Sequence, residues 1–324
     1  MRFKVQASQE QIVFGLAILL CIFFAAVLPG FLTTSNLVNL VRSVSLLGIL
    51  GVAMGLVVIG RGIDISLVAL MAVSVAWTLQ LASSGMPFAL AVALGLGFAL
   101  IVGLINGFLV AFVEIPAIFT TLATGTAIYG FGRFFLFDLD IIYMPQDAAA
   151  FRWLGEGRLA GIPAPIIVFA LVSLAAHLFL RYTRAGSFVR AVGDNLAAAR
   201  ITGVPVRPMI LMQYMLSSVI GFIAGCVTAA SVASINIRIA NSTLVYDVIL
   251  VVVLGGIGLS GGRGGIRNVI VGTLLIGVLL NGMTIMDIQY TVQNVIKGVI
   301  LLTAIVIDTL LNPRDEQTDQ QGDI

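Results

Sequence analysis

The stretch Phe88-Ala-Leu-Ala-Val-Ala-Leu-Gly-Leu-Gly-Phe-Ala-Leu-Ile-Val-Gly-Leu-Ile-Asn106-Gly107-Phe-Leu-Val-Ala-Phe112 carries no charge and exceeds the roughly 20 apolar residues that cross a hydrocarbon core. Lipid offers the backbone no hydrogen-bond partner, so such a run must pair its own N–H and C=O groups as a helix. Working outward, breaks at Gly, Pro and charge clusters leave about ten such spans: 11–29, 43–60, 66–82, 88–112, 117–137, 163–181, 207–231, 245–260, 267–285 and 291–311. The pair 43–60 and 66–82, separated only by Gly60-Arg61-Gly62-Ile63-Asp64-Ile65, reads either as two helices or as one helix broken inside the membrane. The short span 245–260 is open to the same two readings.

Composition agrees. The 324 residues are 60% hydrophobic and 10% charged, with a mean hydropathy of +1.12, whereas a soluble domain is about a quarter charged. The net charge of +2 is too small to suggest nucleic acid. Cys21 and Cys226 lie in apolar stretches as small hydrophobes, so neither a disulfide nor a metal site is expected. Arg2 and Lys4 before the apolar run 12–28 imitate a secretion signal, but that run is long enough to span and is read as a retained first helix. One membrane domain is expected over 1–311, and the polar tail 312–324 is expected to be disordered.

Cytoplasmic loops keep an excess of Lys and Arg. With the N-terminus inside, the inner segments hold Arg2, Lys4, Arg61, Arg181, Arg184, Arg190, Arg200, Arg207, Arg263, Arg267 and Arg314, and the outer ones hold Arg42, Arg152, Arg158 and Arg238. Arg133 and Lys297 fall within spans, close enough to their outer ends to snorkel. Gly97-Phe-Ala-Leu-Ile-Val-Gly-Leu-Ile-Asn106-Gly107 repeats in spacing as Gly272-Thr-Leu-Leu-Ile-Gly-Val-Leu-Leu-Asn281-Gly282, five spans later. A five-helix unit duplicated with an odd helix count is inverted in the membrane. The expected fold is therefore an all-α integral membrane protein of about ten transmembrane helices, an inverted five-plus-five repeat with halves near 1–155 and 163–311, and both termini in the cytoplasm. Chance recurrence among 35 glycines is the plainer account of the repeat.

Enzyme signatures are missing from the sequence. No phosphate-binding Gly-rich loop with Lys occurs, and the single histidine, His177, sits in an apolar span, as a helix-to-helix hydrogen bond or a proton relay. No catalytic residue, metal site or cofactor is assigned to this chain, and any energy must come from elsewhere.

The informative polar segment is Arg181 to Val204. Asp194 or Asn195 can cap a short helix whose Ala-rich body (Ala198, Ala199) runs to Arg200 and stops at Gly203. Such a helix, following Arg190 and Gly193, suits docking into a groove on a soluble partner; an ordinary cytoplasmic loop is the alternative. The turn Gly261-Gly262-Arg263-Gly264 reads as a tight interfacial turn with exposed amides or simply as a flexible loop. Asp64 and Ser66 read as helix caps or as part of a polar pathway. Neutral hydrogen-bonding side chains inside spans, Asn106, Thr120, Thr121, Thr124, Asn281, Gln293 and Asn294, are candidates for a solute path, or equally for bonds between helices. If the repeat is real, Asn106 and Asn281 are expected to face each other near mid-membrane.

The run Ala191-Val-Gly-Asp-Asn-Leu-Ala-Ala-Ala-Arg200-Ile-Thr-Gly203 resembles the cytoplasmic coupling segment of the ribose-type permeases of ATP-binding cassette importers, which handle ribose, xylose, arabinose, galactose, inositol and the autoinducer-2 signal. Gly62-Ile63-Asp64-Ile65-Ser66, Val253-Leu-Gly-Gly256 through Gly265, and Val295-Ile-Lys-Gly-Val-Ile-Leu-Leu302 ending at Asp308 agree with it in order and spacing. Gly193-Asp194 and Leu196-Ala197 depart from the Gly-Gly and paired Glu of many relatives, and Leu67-Val68 replaces a common Val-Gly. The resemblance implies a permease in a bacterial inner membrane, importing a small sugar or polyol. It also implies a second permease copy or close paralogue, two cytoplasmic ATP-binding cassettes that hold ATP and magnesium, and a periplasmic solute-binding protein. A stand-alone ion-coupled transporter is the alternative, and it would need an embedded acid, for which Asp247 is the best placed.

Overall fold

The computed structural model describes residues 9–145 and 148–311; the tail expected at 312–324 lies outside the described residues. Ten helices overlap the ten expected spans: α1 Gln9–Val27, α2 Thr34–Ile59, α3 Leu67–Ser83, α4 Phe88–Ala111, α5 Ala117–Phe131, α7 Ala164–Tyr182, α10 Val206–Val232, α11 Leu244–Leu254, α12 Ile266–Ile285 and α13 Tyr290–Leu311. Between them lie three shorter ones, α6 Ala149–Glu156, α8 Arg184–Asp194 and α9 Leu196–Ile201. Pro87, Pro116, Pro163 and Pro205 stand immediately before α4, α5, α7 and α10. A ring that fixes φ and carries no N–H starts a helix without losing a bond. By length and composition α1, α2, α4, α7, α10 and α12 are able to cross a membrane.

Two spans differ from expectation. α2 starts at Thr34 rather than near residue 43, because the polar run through Asn36 continues the helix, the Asn36 amide being bonded to Asn281. α11 has 11 residues instead of filling 245–260, a rise of about 16 Å, roughly half a hydrocarbon core. It stops at Gly255-Gly256, where Gly256 takes φ +94°. The all-α expectation also needs correcting. Strand β1 (Ile141–Tyr143) pairs with β4 (Ser234–Asn236), and β2 (Arg158–Leu159) pairs with β3 (Ile162–Pro163), both antiparallel. Ile142 and Ile235, opposite one another in the first ribbon, are buried against the bundle, which makes the ribbon a lid over one end of the helices.

α2 is the central helix, buried almost continuously from Val44 to Ile59 and surrounded by α7, α10, α11 and α12. The most extensive helix packing is between α4 and α10. Gly103 sits against Ser218 and Gly107 against the backbone of Leu211, so two glycines one turn apart let the helices touch. Hydrophobic burial gives no drive between helices already in lipid, and close backbone packing takes its place. The outward faces of α1, α4 and α13 are Leu, Ile, Val and Phe, as a lipid-facing surface requires.

The connections separate into two groups. At one end, the α2–α3 turn, Glu114 of the α4–α5 turn, α8, α9 and the Gly-rich loop before α12 make contact with one another. At the other, β1 pairs with β4, Asp140 bridges Arg133 and Arg238, and Thr243 meets Tyr290. Of the basic residues counted toward the cytoplasm, Arg61, Arg190, Arg200 and Arg207 lie in the first group, while Arg2, Lys4 and Arg314 lie outside the described residues.

Candidate functional site: a glycine junction at one end of the bundle

The junction forms where three backbones converge. The Gly262 N–H donates to the Ile59 carbonyl at 2.8 Å, joining the Gly-rich loop to the last turn of α2. Arg61 Nε donates to the Ser260 carbonyl at 3.1 Å, and Arg190 Nη1 to the Gly264 carbonyl at 3.0 Å. Gly193, near the end of α8, lies so close to the Ile59 carbonyl and the Gly262 amide that a Cβ there would overlap both. Gly261, Gly262 and Gly264 take φ values of +80°, +74° and +88°, a region that side-chain-bearing residues rarely adopt. These glycines build a tight turn, and the Gly262 amide is bonded within the bundle rather than left exposed.

The segment 184–203 is two helices rather than one. α8 is capped by Thr183, whose Oγ1 accepts the Gly186 N–H at 3.0 Å, and it ends at Asp194. Asn195 then caps α9, its side-chain oxygen accepting the Ala198 N–H at 2.9 Å, and Gly203 terminates it at φ +82°. The residues expected to meet a partner divide accordingly. Asp194, Asn195, Ala198 and Gly203 are exposed, whereas Gly193 and Ala199 are buried and Arg190 is engaged with the Gly-rich loop. Gly193 and Arg190 thus seat α8 on the bundle instead of facing outward. Sequence reasoning missed Ile201, which is 88% exposed at the end of α9 beside Ala197 and Ala198. An isoleucine closing an alanine-rich helix is the signal that could have found it.

The candidate path residues fall into two clusters. Asn106 and Thr121 are fully buried and Thr120 nearly so, on α4 and α5. Thr124 Oγ1 donates to Asn106 Oδ1 at 2.6 Å, and Thr121 Oγ1 accepts the Ile65 N–H at 3.1 Å. At the other end Asn281 and Asn36 exchange amide bonds at 2.9 and 3.0 Å, Gln293 donates to the Ile288 carbonyl at 2.8 Å, and Thr243 reaches Asn294 at 3.4 Å. Asn106 and Asn281 therefore do not face each other. Each lies near the C-terminal end of its helix, within about 8 Å at 1.5 Å per residue; Asn106 bonds Ser66 beyond the end of α2 and Asn281 bonds Asn36 at its start, so the two lie at opposite ends rather than at mid-membrane. An apolar groove of about 340 Å³ between α4 and α5 is lined by Phe98, Ile101, Ile105 and Phe131, with Thr124 as its only hydroxyl, and it suits a hydrocarbon chain better than a polar solute.

Two embedded charges are paired. Lys297 Nζ lies 2.7 and 2.9 Å from the two carboxylate oxygens of Asp247, with side chains 7% and 13% exposed. Asp247 is in the first turn of α11, where the helix dipole favours a carboxylate. Lys297 does not snorkel as expected: its partner is one helix away, and the ring of Tyr290 lies 5.6 Å from its ammonium. The two residues are separated by 50 positions, and their opposite charges in otherwise apolar spans were the available signal.

The profile of a family described as permease components of branched-chain amino acid transport systems matches residues 36–305. The chain is 30% identical to the ribose import permease protein RbsC of Escherichia coli (strain K12) over 306 residues, covering 94% of this chain and 95% of that protein. It is 32% identical to the ribose import permease of Bacillus subtilis (strain 168), covering 86% of each. It is 30% identical to the galactofuranose transporter permease protein YtfT of Escherichia coli (strain K12), covering 84% of this chain and 79% of that one. No solved structure matches the chain.

Proposed function

The chain belongs to the permease-component family of branched-chain amino acid transport systems, and from that premise we infer that it is the membrane-spanning, non-catalytic subunit of an ATP-driven importer for a small sugar. It is a multi-pass plasma-membrane protein. Sugar is favoured over amino acid because the relatives aligned along most of the chain are permeases for ribose and galactofuranose. The solute is a neutral, hydroxyl-rich molecule, and the polar groups proposed to meet it, Asn106, Thr120, Thr121 and Thr124 at one end and Asn281, Gln293 and Asn294 at the other, are uncharged donors and acceptors.

The observation that carries the coupling role is the pairing of a rigid seat with an exposed tip. α8 is held to two loops by Gly193 and Arg190, while α9 presents Ala197, Ala198 and Ile201 outward. A partner pushing on that tip would move the seat with it. The partner is an ATP-binding cassette, one for each of two permease copies, with ATP and magnesium bound there and with a periplasmic binding protein at the opposite end. Both termini and the junction lie in the cytoplasm, and the ten helices form two inverted units near 1–155 and 163–311.

Two experiments test this reading. In a background with Cys21 and Cys226 replaced by alanine, single cysteines at Ser187 and Ala198 are expected to react with an impermeant thiol reagent only after the cytoplasmic face is opened, and one at Leu159 in intact cells. Labelling of position 187 from outside would reverse the orientation. Ala198→Arg is expected to abolish stimulation of the cassette ATPase by loaded binding protein while melting as the wild type does, because substitutions at exposed positions stay within about ±0.5 kcal/mol. Full stimulation in that variant would remove α9 from the interface.

A further inference from the structure

Asp64 is 1% exposed, and it is bonded by hydroxyls and by the backbone amides of Ser66 and Leu67 rather than by a base. Ser66 Oγ donates to one carboxylate oxygen at 2.6 Å and Ser217 Oγ of α10 to the other at 3.0 Å. Asn106 Nδ2 of α4 donates to Ser66 Oγ at 2.8 Å, and Thr124 of α5 donates to Asn106 Oδ1. Every hydrogen bond in this chain points toward the carboxylate, so one acid gathers α10, α4 and α5 onto the loop before α3. A cap alone would not need a carboxyl: Asn or Ser serves there without burying an ionisable group. The same loop, five residues earlier, is bonded into the glycine junction through the Ile59 carbonyl and Arg61 Nε.

The structure thus ties two sites together through seven residues, and we propose that Asp64 is a positioning residue that transmits movement of the glycine junction to the polar groups of α4 and α5. The proposal rests on the importer reading. The Arg61 and Gly62 N–H groups bond back to Val58 and Val57 at the end of α2; beyond them the loop is held by the junction at one end and the Asp64 cluster at the other, with Thr121 and Tyr214 bonded to the Ile63 carbonyl between them. Gln213, buried against Gly60 with its Nε2 lacking an acceptor, marks the place where the loop's surroundings are incompletely bonded in this conformation. Coupling through a bonded chain of this kind is worth a factor rather than an absolute requirement.

The test uses the complete transporter, permease with cassettes and binding protein, reconstituted in liposomes and supplied with ribose, galactose or inositol, whichever the wild type imports. Solute imported per ATP hydrolysed is measured for Asp64→Asn and Ser217→Ala, with Ser173→Ala, a buried hydroxyl without a bond, as control. The ratio is expected to fall about fivefold in the first two and to stay unchanged in the control. A purely structural role lowers uptake and hydrolysis together and leaves the ratio at the wild-type value, which overturns the proposal; Ser217→Ala, which removes a single donor, decides if Asp64→Asn fails to assemble. Failure of the wild type to import any of the three solutes counts against the importer reading itself, not against the relay alone.

Discussion

Lys297→Met is expected to destabilise the protein by about 3 kcal/mol, the low end of the cost of leaving one partner of a buried ion pair unpaired. The ammonium and the Asp247 carboxylate are 2.7 Å apart and almost wholly removed from solvent. Taking away the lysine leaves a largely buried carboxylate in the first turn of an apolar helix, where it must neutralise or draw in water. Asp247→Leu is expected to have a similar effect from the other side. The double variant Asp247→Leu with Lys297→Met should recover most of the loss, since well-packed apolar side chains replace such pairs at little cost. Melting in detergent across the four-member cycle reads this directly. Additive losses in the double variant would mean that the two charges are stabilised independently.

Gly193→Ala is the second large effect. One methyl group at this position overlaps the Ile59 carbonyl and the Gly262 amide, which are bonded to each other, so α8 cannot stay seated without breaking that bond. A loss of about 2 kcal/mol is expected from overpacking against backbone, which cannot rotate away as a side chain would. This differs from what the sequence suggests. An exposed docking glycine would tolerate substitution in the fold and fail only with the partner, as expected for Ala198→Arg; Gly193 should fail in both. Wild-type melting of Gly193→Ala would show that the junction yields, and would return Gly193 to the partner surface.

Helix content and position were legible in the chain because a spanning run must be long, apolar and internally hydrogen-bonded. Prolines at 87, 116, 163 and 205 mark helix starts within two residues of where hydropathy places them. The short helix α9, its Asn195 cap and its Gly203 terminator were legible for the same local reason. What α8 rests on was not: Gly193 looks like any glycine at a helix end until Ile59 and Gly262, distant in the chain, arrive beside it.

The sequence by itself therefore determined that this is a membrane protein, where its helices run, and which family it resembles. The tertiary structure decided which polar groups meet. Asp64 finds Ser217 across 153 positions, Asn36 finds Asn281 across 245, and Lys297 finds Asp247 across 50. In a soluble protein the apolar stripe of a helix announces its inner face. In lipid the outer face is equally apolar, as Ile101, Leu104 and Phe108 on α4 are beside the buried Ala99, Val102 and Gly103. The pattern that would orient each helix is erased, and only the packed bundle shows which way Asn106 turns.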